Sequence, residues 1–324
     1  MIRKVLLILV VLVVVLVAGI AVFVASRQHL SFAATPYPPL EASTDSAVVA
    51  RGRYIVRDMA NCAQCHGDTT QVQAMLSGAD VPLIGGRVFD IPPGTFYVRN
   101  ITPDAETGIG AAPAKAIARA LRSGVGIDGR ALLPFMEFQG FSDEDLIAVV
   151  SYLKAQPPVH NVVSAHRYSA LGSVLKATVL ASPVGPKPDV TAKSPRGATA
   201  ENGRYLVESV ALCVSCHTQR DEKTGAFTGP RLGGSAGFIT DERGRYWSTP
   251  NITVDPTHGR LGSMSEDQFV TRLRAGRLLP GSPMPWQGLM KLDEDDLRAI
   301  YRYIKTVPPS THDPGPVGPT EKKS

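Results

Sequence analysis

The steepest change of polarity along the chain comes at its start. Arg3 and Lys4 are followed by an uncharged apolar run from Val5 to Ala25, 21 residues long. At about 1.5 Å per helical residue such a run spans roughly 30 Å, the thickness of bilayer hydrocarbon. A cleaved secretory signal has a shorter apolar core and a small-x-small cleavage site. Here Phe23 and Phe32 occupy the −3 positions for cuts after Ala25 and Ala34. The pattern therefore predicts a membrane anchor over residues 1–28 in preference to a removed signal. The basic flank places the first residues in the cytoplasm and everything after Ser26 outside it. No second apolar run of comparable length follows.

Beyond the anchor the hydrophobic positions take a helical period. In "FSDEDLIAVVSYLKAQPP" (141–158), Leu146, Val149, Val150 and Leu153 form one apolar stripe at i, i+3, i+4 and i+7. Ser142 is the expected N-cap, followed by Asp143, Glu144 and Asp145 at the positive helix end. "LDEDDLRAIYRYIKTVPP" (292–309) repeats the stripe with Leu297, Ile300, Tyr301 and Ile304. Each helix must stop before its Pro-Pro pair. Two further helices end at Gly124 and Gly276, where a left-handed residue is expected.

These are pieces of a longer repeat. "GRYIVRDMANCAQCHG" (52–67) returns as "GRYLVESVALCVSCHT" (203–218), displaced by 203 − 52 = 151 positions. "NITPD" (100–104) and "NITVD" (251–255) keep the same offset. A period this long means two tandem domains, since solenoid repeats run about 20–50 residues. The expected organisation is mostly α: an anchor, a first domain at 46–158, a linker at 159–197, a second domain at 198–310 and a disordered tail at 311–324. Within the connection, 169–180 suits a short helix lying on a domain, and the Pro/Gly/Ser/Thr-rich 182–200 suits an extended, unpacked chain. A glycine at 52 and 203 suits a close helix crossing. The net charge of +5 is mild and is not gathered into a Lys/Arg stripe, so nucleic acid is not an expected partner.

All four cysteines lie in the repeated motif, Cys62-x-x-Cys65-His66 and Cys213-x-x-Cys216-His217. A disulfide of this spacing belongs beside a βαβ unit, for which the chain has no pattern. Zinc takes about four ligands, and the two pairs stand 151 positions apart. Neither explains the histidine after each second cysteine. Covalent haem does: both thiols bond to one porphyrin and the histidine lies under the iron. Two haem c groups are therefore expected, anchored by Cys62, Cys65, Cys213 and Cys216 and ligated by His66 and His217. For the sixth iron ligand, no other histidine recurs at equivalent places. Met136 and Met284 do, 70 and 67 positions after their motif histidines, each in a proline-containing loop. No catalytic residue is assigned. The Asn-Ile-Thr blocks are formal glycosylation acceptors and are read here as turns closing the haem loops.

With these residues in view, the chain resembles class I c-type cytochromes, one per unit. More closely it is similar to the tandem-haem cytochrome subunits of membrane-bound bacterial alcohol and sugar dehydrogenases. The resemblance rests on the two Cys-x-x-Cys-His motifs, the Gly-Gly loops at 85–86 and 233–234, the Asn-Ile-Thr-x-Asp blocks, Met136 and Met284, and the acidic starts of the last helices. It covers 46–158 and 198–310 and implies a helical fold around each haem, His/Met iron and an electron-carrying role in the periplasm. The implied partners are a dehydrogenase or quinol-oxidising complex as donor, with a terminal oxidase or soluble cytochrome as acceptor. Those subunits typically carry three haem domains and a C-terminal attachment, where this chain has two units and an N-terminal anchor. The competing expectation is a dihaem enzyme, such as a peroxidase or a thiosulfate-oxidising cytochrome.

Overall fold

The computed structural model describes residues 2–221, 225–240 and 245–320. Helix α1, Ile2–Ser26, has no buried residue and is long and apolar enough to cross a membrane. Then come α2 (Ser46–Tyr54), a π-helical turn (Ile55–Met59), α3 (Ala63–His66), α4 (Val72–Leu76), a hairpin of β1 (Val88–Ile91) and β2 (Gly94–Tyr97), α5 (Ala114–Ser123) and α6 (Asp143–Ala155). A connection holding β3 (Arg167–Tyr168) and α7 (Ala170–Thr178) leads to the second half. There follow α8 (Ala200–Tyr205), another π-helical turn (Leu206–Val210), α9 (Cys213–His217), β4 (Ser235–Thr240), β5 (Tyr246–Thr249), α10 (Glu266–Arg274), α11 (Trp286–Leu289), α12 (Glu294–Ile304) and β6 (Gly318–Thr320).

The fold is mostly helical, as the sequence pattern requires. Short strands of period two are lost in a helix-dominated chain, and among the described residues they form two three-stranded antiparallel sheets, β1-β2-β3 and β4-β5-β6. Ser142 caps α6 by accepting from Asp145 N at 3.1 Å, and the predicted stripe of Leu146, Val149, Val150 and Leu153 is buried. In α12, Leu297, Ile300, Tyr301 and Ile304 are buried likewise. Gly124 and Gly276 both take the left-handed conformation, at φ 68° and 66°.

The repeat shows in how the helices cross. A Cβ at Gly52 would overlap the Ala148 carbonyl where α2 crosses α6. At Gly203 the same overlap arises with the Ala299 carbonyl of α12. The two halves also pack against each other, and one hydrophobic cluster runs through both, from Ile55 and Leu146 to Leu206 and Leu297.

Two segments depart from expectation. The helix expected at 169–180 forms as α7, but the 182–200 stretch is packed against the first half. Its Thr191 and Ala192 carbonyls accept from Asp143 N and Glu144 N at 3.0 and 3.1 Å, serving amides that a helix leaves without internal partners. Ser194 Oγ lies 2.6 Å from Ser142 Oγ. Nor is the start of the 311–324 tail disordered: Asn251 Nδ2 donates to the His312 carbonyl at 3.1 Å, and β6 pairs with β5. Residues 321–324 lie outside the described residues.

Candidate functional site

Each cysteine motif is delivered by the same local distortion. The helix entering it ends in a π-helical turn, closed by Ala60 N to Ile55 O at 2.7 Å in the first half and Ala211 N to Leu206 O at 2.8 Å in the second. The next residue, Asn61 or Leu212, has positive φ, 47° and 52°. Asn tolerates that region, but for Leu it costs about 1–2 kcal/mol. The same strained step in both halves turns the chain sharply into a single helical turn. On that turn the first cysteine, the second cysteine and the histidine stand at i, i+3 and i+4, on one face. Asn61 and Leu212 are site residues that residue identity did not reveal, since a leucine carries no signal for a left-handed step.

Both motif histidines are held the same way. His66 Nδ1 lies 2.8 Å from the Arg99 carbonyl and His217 Nδ1 lies 2.9 Å from the Pro250 carbonyl. Burial pushes both imidazoles below their ordinary pKa. A neutral ring whose Nδ1–H donates to a carbonyl presents Nε2 as its basic nitrogen, the state a metal-ligating histidine needs. The carbonyls are positioned by the Asn-Ile-Thr blocks that follow them. Asn100 Oδ1 accepts from Thr102 N and Oγ1 at 2.9 and 2.8 Å, and its Nδ2 donates to Val159 O at 2.9 Å. Asn251 binds Thr253 identically and donates to Ser310 O at 2.6 Å. Both asparagines are buried and their amides engaged, which suits a turn and not a glycan acceptor. The Gly-Gly loops close on the motifs too: Gly85 N and Gly234 N donate to the His66 and His217 carbonyls, each at 2.8 Å.

Burial pushes the Cys62 and Cys213 thiols up to about 12 and Cys216 up to about 11. A disulfide exchanger needs the opposite, a depressed thiol pKa. Among the described residues, no group of three or more His, Cys, Asp and Glu side chains gathers into a metal-binding cluster. The donor set of each motif, two thiols and one oriented imidazole, fits a covalently attached haem.

The methionine loops reach the opposite halves. Met136 and Met284 are both half-buried, Met136 between α5 and α6 and Met284 between α10 and α11. Beside Met284, the Pro283 carbonyl accepts from Gln64 Nε2 of the first motif at 3.2 Å. Beside Met136, Glu137 accepts from Ser215 Oγ of the second motif at 2.5 Å and from Arg220 Nη1 and Nη2 at 2.8 and 2.7 Å. Burial alone would raise the Glu137 carboxyl, but the bonds from Arg220 and Ser215 outweigh it and hold the pKa below the ordinary range. The second motif thus carries an ionic clasp where the first has a neutral one.

Comparison with known proteins bears directly on this geometry. Residues 198–304 match the family model described as cytochrome c oxidase, cbb3-type, subunit III. They form a cytochrome c domain. The chain as a whole is similar to cytochrome c subunits of bacterial dehydrogenases. It is 29% identical to the alcohol dehydrogenase (quinone) cytochrome c subunit of Gluconobacter oxydans, over 82% of this chain and 55% of that protein. To the gluconate 2-dehydrogenase cytochrome c subunit of Pantoea cypripedii it is 31% identical, over 86% of this chain and 63% of the relative. A diheme cytochrome c-type protein of Cereibacter sphaeroides is 26% identical over 76% of this chain and 82% of its own length. The chain spans 55% and 63% of the two dehydrogenase subunits. A cytochrome c domain carries covalently bound haem, and electron transfer is the role this similarity supports.

Proposed function

We propose that the chain is a membrane-anchored periplasmic cytochrome with two haem c groups, which takes electrons from a membrane-bound dehydrogenase or quinol-oxidising complex and passes them to an oxidase or soluble cytochrome. The observation that carries this reading is the pair of matched motifs, each with its histidine Nδ1 tied to a backbone carbonyl at 2.8 or 2.9 Å. Cys62 and Cys65 hold one haem and Cys213 and Cys216 the other. His66 and His217 are the proximal ligands, and Met136 and Met284 the distal ones. Bound there, each haem supplies one-electron chemistry at a potential raised by methionine. The residues around it fix ligand orientation and exclude water.

The halves of the repeat, 46–158 and 198–310, are two cytochrome domains held as one body by their shared hydrophobic cluster. Each motif touches the methionine loop of the other domain, so residues that would hold one haem are tied to residues that would hold the other, and the pair would supply a route for electron transfer within the chain. α1 anchors the assembly in the cytoplasmic membrane with both domains outside. An optical redox titration of the purified protein tests this. Two one-electron components are expected, at unequal potentials because Glu137–Arg220 flanks only the second motif. A single component, or turnover of peroxide or thiosulfate by the isolated chain, contradicts it.

A further inference from the structure

α7 leaves apolar side chains open to the surface. Leu171 is 50% exposed, Val174 41% and Val179, just past the helix end, 63%. Leu171 and Val174, three positions apart, share a side of the helix. The other sides are occupied. Ser169 N donates to Pro93 O at 3.0 Å and Ser169 Oγ to Pro92 O at 2.8 Å, and Gly172 lets the helix press on the Pro93 carbonyl at the β1–β2 turn. Further contacts run to α1. Gln28 Nε2 donates both to Val24 O, inside α1, at 2.8 Å and to Ser173 O of α7 at 3.0 Å. Arg27 Nη1 donates to Ala177 O at 3.2 Å. Val24 is the only residue of α1 that is even half-buried.

α7 is therefore one hydrogen bond away from the last apolar turn of α1. The junction is also fixed: Phe32 N donates to Gly129 O at 2.7 Å and Arg119 Nη1 to Ala33 O at 2.8 Å, bolting the segment after α1 to the first half. The surrounding sequence suits a lipid headgroup layer. From Pro157 to Pro188 there is no Asp or Glu, while Arg167, Lys176 and Lys187 are present. Lys176 lies over the Tyr168 ring at 4.9 Å, and Lys and Tyr are residues that favour the membrane–water boundary.

We propose that α7 lies in the plane of the membrane at its outer surface, with Leu171, Val174 and Val179 in the lipid and the basic side chains at the phosphates. Together with α1 it forms a two-point attachment that sets the height and tilt of the first motif above the bilayer. This rests on reading α1 as a membrane anchor. Three single nitroxide labels on the haem-loaded full-length protein, in phosphatidylethanolamine/phosphatidylglycerol nanodiscs, test it: Val15→Cys, Val174→Cys and, as a water-exposed reference, Leu278→Cys. Label specificity is checked on the unsubstituted chain. Val15 and Val174 are both expected to be several-fold more accessible to oxygen than to a water-soluble nickel chelate, relative to Leu278. If Val15 is immersed while Val174 matches Leu278, the in-plane helix is overturned and the anchor stands. If Val15 is itself open to the nickel chelate, the anchor reading falls and the in-plane helix with it.

Discussion

The hydroxyl of Tyr54 donates to the carboxylate of Asp296, in the opposite half of the chain, at 2.9 Å. Tyr205 and Asp145, each 151 positions away from its counterpart, make the same bond in the opposite direction at 2.9 Å. Tyr54 Oη also accepts from Asp293 N and Tyr205 Oη from Ser142 N. Gly288 lies against the Asp58 backbone as Gly140 lies against Ser209. The two halves thus meet through one surface used twice, the arrangement of a two-fold dimer built into one chain. Burial and the nearby carboxylates hold both tyrosines well above the ordinary phenol pKa, so they stay donors.

Removing those hydroxyls should loosen the halves from each other. A hydrogen bond to a charged group contributes about 1.5–3 kcal/mol. Tyr54→Phe and Tyr205→Phe are each expected to lower urea stability by about that amount, and the pair should broaden or split the transition. A double variant that unfolds at the unchanged midpoint contradicts the shared interface.

The two copies of this contact differ in the partner of the aspartate, Arg51 in one and Asn202 in the other, and this predicts a pH dependence. Asp145 accepts two bonds from Arg51, both 2.9 Å, where Asp296 accepts from neutral Asn202 at 3.0 Å. Burial would raise the Asp145 carboxyl, but Arg51 and Tyr205 outweigh it and hold the pKa below the usual carboxylate range. A depressed native pKa gives stability that is full above the unfolded value of about 3.9 and is lost as pH falls through the native value. Urea midpoints measured from pH 6 down to 3 should fall below about pH 4, and Asp145→Asn should flatten that acid limb while lowering the plateau.

Gly52 and Gly203 predict a cost with no chemistry in it. Each admits a helix carbonyl where a methyl would overlap it. Gly52→Ala and Gly203→Ala should each destabilise by about 1–3 kcal/mol through overpacking, read by thermal melting of the haem-loaded protein. Equal or higher melting temperatures would mean the crossings are looser than described.

The methionines are tested one at a time. Met136→Ala and Met284→Ala should each remove about half of the iron–sulfur charge-transfer absorbance and lower the potential of one haem only, since methionine ligation raises it. A variant that keeps the full band shows that its methionine is not a ligand.

Much of this was legible in the sequence because it rests on local signals. The stripes Leu146–Leu153 and Leu297–Ile304, the Ser142 cap and the left-handed Gly124 and Gly276 follow from spacing and backbone preference alone. The motif Cys and His residues were visible because their spacing is itself chemistry. What stayed hidden depends on distant partners. Nothing in Tyr54 or Tyr205 announces a bond to a carboxylate across the interface, and Leu212 gives no sign of its positive φ. The Pro-rich composition of 182–200 suggested a free linker, yet its Thr191 and Ala192 carbonyls serve the amides of α6. Short β3 and β6 are held by their sheet neighbours, not by their own sequences.

Two covalent haems on one chain would be read in the intact mass of the denatured protein. The chain matured in a haem-attaching periplasm should carry the mass of two haem groups. The Cys62→Ala/Cys65→Ala and Cys213→Ala/Cys216→Ala variants should each retain one. A mature chain carrying one haem or none, or a double variant that still carries two, is incompatible with one haem held by each motif.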